Sequence, residues 1–505
     1  MKTFIDRHAS KIRGTLSCFD RVIIIGTLPD ICHAEAMSRH LRVRGIRLFD
    51  YPLFAQRFRE EIRTRAEQIA QENELVIEFI RRNNFRKEER IKAIVARRGD
   101  HPGLVHVFSA MEPCPSFRPW HDKTSGKTCL KSTQAKCLHY YFYFIHPELG
   151  LCYLRVPTWA PFRLQFYFNG HNELAIKLKK EGITHTLLEN AFVDIADFPR
   201  AQALANALDI RRLHRHLDQI AAEYCPVTRH FASGYHWSLM QVEYATDVVF
   251  RRQDEFQPLY STITHTAIHA IKPEHIVTFL GRKLTANYQG EIGNDFHTRI
   301  EGTCIKHHMG PVAIKLYDKF GIIGRVECTT NDVTFFKHHR TVEHRDGTSA
   351  FKLAPMRKSI YSLPALHSLI SAATHRYLDF LAAIDDPSTG IRSLEKISTP
   401  VRHGDRSYRG FNLFHGADLD LFQAIIHGEF TISGFQARTL RPCLQGVSPS
   451  QLSRMLKRLR THGLIKKIGR RYKYYLTTLG RTVVMAALKL RELVIIPALN
   501  QPIPK

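Results

Sequence analysis

The chain contains no apolar run long enough to cross a bilayer, and its first residues, "MKTFIDRHASKIRG", carry no apolar core of the secretion-signal kind. It has no low-complexity segment and no internal repeat. Its ten cysteines follow no framework spacing and include no C-x2-C pair, so a disulfide scaffold and a standard zinc finger are both disfavoured. Reduced thiols in a cytoplasmic protein are the expectation. Acidic residues are in short supply. Against 73 Lys and Arg stand 47 Asp and Glu, giving a formal net charge of +26. Such an excess calls for an anionic partner, with nucleic acid first and an anionic membrane surface second. At 505 residues, with 44% hydrophobic composition, the chain can build more than one core.

The N-terminal part, 1–100, reads as an α/β unit followed by charged helices. "RVIIIGTL" looks like a strand, "HAEAMSRHLRVRG" a helix and "IRLFD" a second, parallel strand. A dinucleotide site needs a glycine-rich loop after that first strand. "GTLPD" has none, and Pro29 removes a backbone donor. Residues 56–98 mix charges of both signs at helical spacing, the pattern of solvated helices held by i,i+4 pairs.

Residues 101–180 form an aromatic-rich β region. "HYYFYFIHPELGLCYLRVPTW" predicts a hairpin around Pro147–Gly150, and "PFRLQFYFNG" continues the sheet. These aromatics either stack on unpaired bases or, more commonly for strands, fill a core on at least one face. The same region holds Cys114, His121, Cys129, Cys137 and His139. Cys114, Cys137 and His139 are the candidate zinc ligands, although the missing pair spacing argues against a structural zinc.

Residues 181–385 read as helices plus a β meander. "FPRAQALANALDIRRLHRHLDQIAAEY" is amphipathic, with Leu204, Leu208, Leu213 and Leu217 facing inward. "YHWSLMQVEYATDVVF" fits strand or helix equally, and as a helix would place Glu243 and Asp247 on one face. "FHTRIEGTCIKHHMGP" and "IKLYDKFGIIGRVECTTND" together predict a three-strand meander. A turn at Lys319–Gly321 that pairs Asp318 with Ile322 sets Lys315 opposite Arg325 on a polar face shared with Tyr317 and Glu327. Two opposed cations want an anion between them, which predicts a phosphate clamp. A metal held by Glu327 is the second reading, after the phosphate clamp, and an ordinary solvated face is the third. "APMRKSIYSLPALHSLISAATHRYLDFLAAI" predicts a long helix interrupted near Pro364.

A Pro/Gly-bearing polar stretch, 386–415, reads as a linker to a final domain, 416–505. There Ser448 is set to cap a helix that opens on Pro449 and stops at Gly463, with Leu452, Met455, Leu456 and Leu459 as its apolar stripe. Two strands around "GRR" and a last helix follow. From Pro449 onward thirteen basic residues face one acid, Glu492. The segment "SQLSRMLKRLRTHGLIKKIGRRYKYYLTTLGR" resembles the MarR-like winged-helix DNA-binding domains. That resemblance implies a helix in the major groove carrying Arg454, Lys457, Arg458 and Arg460, with Lys466, Lys467, Arg470, Arg471 and Lys473 on the wing. The Tyr-Asp-Lys and Arg-x-Glu of residues 317–327 are weakly similar to a hairpin of rolling-circle replication initiators, which use a tyrosine nucleophile and a metal. No His-hydrophobic-His pair accompanies it here.

The expectation is an α+β multidomain chain, a mixed α/β and β-hairpin body followed by a C-terminal winged helix-turn-helix. Its function is that of a nucleic-acid-binding protein of a bacterial mobile element or its regulation. The winged helix takes duplex DNA and the basic body, with Lys315 and Arg325, takes RNA or DNA. The alternative is a metal-dependent nuclease, transposase or replication initiator. In it Glu243, Asp247, Asp318 and Glu327 bind Mg²⁺ and Tyr317 serves as nucleophile.

Overall fold

The computed structural model describes residues 1–499 except 82–83, 125, 283–289, 300–301, 386, 413, 428–429, 431–433 and 469–471. The chain divides into two compact units, Met1–Asp385 and Asp386–Lys505.

The first unit is organised by one eleven-stranded sheet. Its strands, with a separate small pair included in the numbering, are β1 (Ile12–Thr27), β2 (Glu78–Phe79), β3 (Gly103–His121), β4 (Thr128–His146), β5 (Gly150–Pro157), β6 (Leu164–Phe168), β7 (His185–Leu188), β8 (Ala191–Ile195), β9 (His236–Phe250), β10 (Ile292–Arg299), β11 (Gly302–Met309), β12 (Val312–Lys319) and β13 (Ile323–Thr330). The spatial order is β10-β11-β12-β13-β9-β1-β6-β5-β4-β3-β2, with β7 and β8 forming the separate pair. Neighbours run antiparallel except β2 and β3. Residues 1–100, 101–180 and 181–385 all contribute strands to this one sheet.

The unbroken apolar run Val22–Ile25 is explained by its place. β1 lies between β9 and β6 and is covered on both faces, so Val22, Ile23, Ile24 and Ile25 are all buried. The anticipated second parallel strand, "IRLFD", is instead a single 3₁₀ turn, Leu48–Asp50, leading into the helix Tyr51–Glu72. The ambiguous segment 236–250 is strand β9, and the meander has four strands, β10 to β13. Pro364 does not interrupt a helix. It stands at the start of Leu363–Asp385, where its missing N–H has no intrahelical partner to lose. The aromatic strands are core: Tyr140, Tyr141, Phe142, Tyr143, Phe144, Phe166 and Phe168 are buried.

In the second unit, residues 386–415 are not a bare linker. Pro387–Ser398 is helical, Val401–His403 pairs with Arg406–Tyr408, and Ile397 and Phe411 enter the unit's core. Next come the helices Gly416–Ile425, Ala437–Leu440 and Pro449–Thr461, the strands Ile465–Ile468 and Lys473–Leu476, and the helix Thr478–Leu490. Ser448 caps Pro449–Thr461 through a reciprocal pair with Gln451, and Gly463 beyond its end takes φ +74. Leu452, Leu456 and Leu459 are buried along its stripe.

Gly480 locks this unit. A Cβ there would stand 1.9 Å from the Leu464 carbonyl oxygen, while the Gly480 amide donates to Thr477 Oγ1 at 2.9 Å. Gly480→Ala is expected to cost about 3 kcal/mol of unfolding free energy in this unit, the scale of forced overpacking. Denaturant melting of the variant checks it, and an unchanged midpoint would contradict it. Among the described residues no helix is long and apolar enough to cross a membrane.

Candidate metal centre

One face of the sheet changes character along its length. Leu16 and Cys18 on β1, Val249 on β9 and Ile323 on β13 belong to an apolar cluster. Next come Asp247 on β9 and Arg325 on β13, which face each other in register. Then follow three carboxylates, Asp20 on β1, Glu243 on β9 and Glu327 on β13.

Asp20 reaches this row through a β-bulge. Phe19 pairs with Tyr244 and Arg21 with Glu243, which leaves Asp20 as the extra residue beside Glu243. One oxygen from each of Asp20, Glu243 and Glu327 falls within 4.8 Å of the others. Among the described residues this is the one group of three or more His, Cys, Asp and Glu side chains so arranged. They line a pocket of about 260 Å³ together with Lys315, Tyr317 and Arg21.

The acids differ in their support. Asp20 accepts from Asn169 at 3.0 Å and from Asn190 at 2.7 Å, and Arg325 Nη1 lies 3.3 Å away. Burial would raise its pKa, but His171 and Arg325 prevail and hold it well below the usual carboxylate range. Glu327 accepts from Lys315 Nζ at 2.6 Å and from the Tyr317 hydroxyl at 2.6 Å. Glu243 is raised, by burial first and then by the Glu327 charge. Burial alone would depress the Lys315 ammonium, yet Glu327 raises it, so Lys315 stays protonated. Tyr317 is pushed far above its ordinary value by burial and by Glu327. Its hydroxyl therefore keeps its proton and orients Glu327, which argues against a ready tyrosinate nucleophile.

The hairpin register differs from the expected one. Lys315 pairs with Glu327 and Tyr317 with Arg325, because the three-residue loop is Phe320–Ile322 rather than Lys319–Gly321. Phe320 and Gly321 there take φ 58 and 73. Moving the loop by one residue slides the pairing by two, so the polar face survives and its partners change. Lys315 and Arg325 are thus not an opposed pair around a phosphate. Arg325 is fully buried and binds Asp247 in a two-pronged pair at 2.6 and 2.7 Å. Asp318 is turned away from the acids, accepting from Gln257 at 2.6 Å and from the Gly321 amide at 3.0 Å. Of the four carboxylates expected at a metal, Glu243 and Glu327 converge, while Asp247 and Asp318 serve other bonds.

Cys114, Cys137 and His139 adjoin in pairs, with Cys137 Sγ 3.8 Å from His139 Nδ1, but they are not among the groups of three side chains that converge within 4.8 Å. Cys137 hydrogen-bonds with Cys114, which lowers the Cys114 thiol, and the His139 ring lies 3.1 Å from the Cys137 carbonyl oxygen. In the second unit, Arg454, Arg460 and Lys466 are exposed, and Lys457, Lys467 and Lys473 are half-buried. Arg458 does not join the exposed cations expected at a groove. It is buried against Asp418 at 2.6 and 3.0 Å, since a carboxylate only 2% exposed requires a partner. Arg470 and Arg471 lie outside the described residues.

Asp20 lies outside the sequence expectations, because the apolar run "RVIIIGTL" begins one residue after it. The available signal was Asp20 as the one acid in a sixteen-residue strand that runs into Val22–Ile25, since a buried charge persists only with partners. No family model matches the chain, nor does any curated protein or solved structure.

Proposed function

We propose that the chain is a nucleic-acid-processing protein whose body hydrolyses phosphodiester bonds with a divalent cation held by Asp20, Glu243 and Glu327. The observation that carries this reading is the convergence of three carboxylates from three adjacent strands on one pocket, inside a chain of net charge +26. Three acids so close repel one another, and a hard divalent cation relieves that repulsion with oxygen ligands alone, which favours Mg²⁺ or Mn²⁺ over Zn²⁺. The bound cation would polarise a phosphate and lower the pKa of an attacking water. Lys315 stands beside Glu327, placed to offset phosphate charge. Residues 416–505 follow the element order of a winged helix, and their exposed cations suit a duplex backbone. Pairing a cutting site with a duplex-reading unit suits a mobile element, as in transposases and replication initiators.

A second reading is a binding protein without catalysis. It is favoured by Lys315 and Tyr317 already satisfying Glu327. One experiment separates the two. Full-length chain is stripped with a chelator and offered single- and double-stranded DNA and RNA with and without Mg²⁺ or Mn²⁺. Cleavage that appears only with the cation is the expected result. Binding without cleavage under every condition leaves the second reading standing and removes the first.

A further inference from the structure

The end of the β3–β4 hairpin lies outside the acid pocket, and we infer that it is a single-stranded nucleic-acid grip built on Trp120. This rests on the nucleic-acid reading above and adds the surface that holds the strand. β2 touches β3 at Phe108–Ser109, and β5 pairs with β4 only from His139 onward. From Glu112 to His121 and from Thr128 to Cys137 the strands therefore pair with each other alone, as a two-stranded ribbon. Its inner side is anchored, with Phe117 and Leu130 in the core and the Phe117 ring 5.7 Å from Tyr51.

The outer side is basic and aromatic. Arg118 faces Lys131 directly across the ribbon. Directly opposed cations repel, and among the described residues neither has an acidic partner. Two positions along, opposite Cys129, stands Trp120, 42% exposed, with Lys131 Nζ 3.9 Å and the Arg118 guanidinium 5.8 Å from its ring. Arg42 of the helix Ala34–Val43 reaches the Thr128 carbonyl oxygen at 3.5 Å and extends the positive surface. An anion bridging Arg118 and Lys131 removes their repulsion, and an exposed indole offers a flat face to a base. A base can take that face only when unpaired, which selects a single strand over an intact duplex. Backbone phosphates on the two cations and a base on Trp120 satisfy all three groups at once.

Trp120 is also its own reporter. Of the three tryptophans, Trp237 is 2% exposed and Trp159 is half-buried with its indole N–H on Ser116 at 2.9 Å. Full-length chain, kept in chelator to prevent cleavage, is titrated with a short oligothymidylate. Wild type should show quenched tryptophan fluorescence that Trp120→Phe loses while still binding. Trp120→Ala should bind on the order of tenfold more weakly. Arg118→Gln with Lys131→Gln should flatten the slope of log affinity against log salt by about 1.4, from two lost phosphate contacts. Full quenching in Trp120→Phe, or an unchanged slope in the double variant, overturns the grip. Cation-dependent cleavage by a wild type whose Trp120 stays silent overturns the grip alone, whereas a chain that neither binds nor cuts overturns both readings.

Discussion

Arg325→Ala is expected to destabilise the first unit by about 3–5 kcal/mol, the cost of breaking a buried ion pair from one side. Arg325 is fully buried and its guanidinium is fully engaged. Nε and Nη2 take the two oxygens of Asp247, Nη1 approaches Asp20, and Nη2 also donates to the Asn190 carbonyl oxygen at 2.6 Å. Removing it leaves Asp247, itself 1% exposed, as an uncompensated buried charge. Asp20 loses one of its supports in the same step. Arg325→Lys keeps the charge but loses the planar fork, so it should recover only part of the stability. Chemical denaturation of the full chain, followed for the first unit, makes the measurement. A variant that melts like wild type yet binds nucleic acid more weakly would restore Arg325 as a phosphate contact and defeat this account.

The hairpin 314–327 was legible as a hairpin, and so was its polar face, because alternation fixes which side chains share a side. Partners across the hairpin were not legible. They depend on a left-handed turn at Phe320, which few non-glycine residues adopt and which no local rule singles out. Glu327 could be named as a metal acid from the polar face of its hairpin, and Glu243 only through a helical spacing from Asp247 that strand β9 does not have. Asp20 could not be joined to them, since it lies more than two hundred residues away along the chain and arrives through a bulge. Asp247 looked equivalent to Glu243 by spacing, and only the neighbouring strand shows that Arg325 consumes it. Arg458 shows the same limit: it lies beside an apolar stripe, and only the buried Asp418 explains why it turns inward. Local signals fared better where they are self-contained, as at Ser448, Pro449 and Gly463, whose capping needs only a few consecutive residues.

Glu327→Gln is expected to abolish cation-dependent cleavage while leaving nucleic-acid binding in place. A catalytic cation supplies several kcal/mol of transition-state stabilisation, so its loss should slow cleavage on the order of a thousandfold. The substitution is nearly isosteric, and the amide oxygen can still accept from Lys315 or Tyr317, so the hairpin keeps its shape. What disappears is one of the three negative charges that would hold the proposed divalent ion. Glu243→Gln should behave alike, because among the described residues Glu243 is the least compensated of the three: the Arg21 guanidinium is 3.7 Å away and Gln241 supplies its one close hydrogen bond at 2.8 Å. Asp20 is unsuited to this test, since its bonds to Asn169, Asn190 and Arg325 also hold the fold. Mn²⁺ binding followed by electron paramagnetic resonance gives a second readout that does not depend on turnover. Both variants should lose the bound-ion signal while their melting stays near wild type. If Glu327→Gln still cuts at the wild-type rate in Mg²⁺, the three carboxylates are an internal charge network and any catalytic cation sits elsewhere.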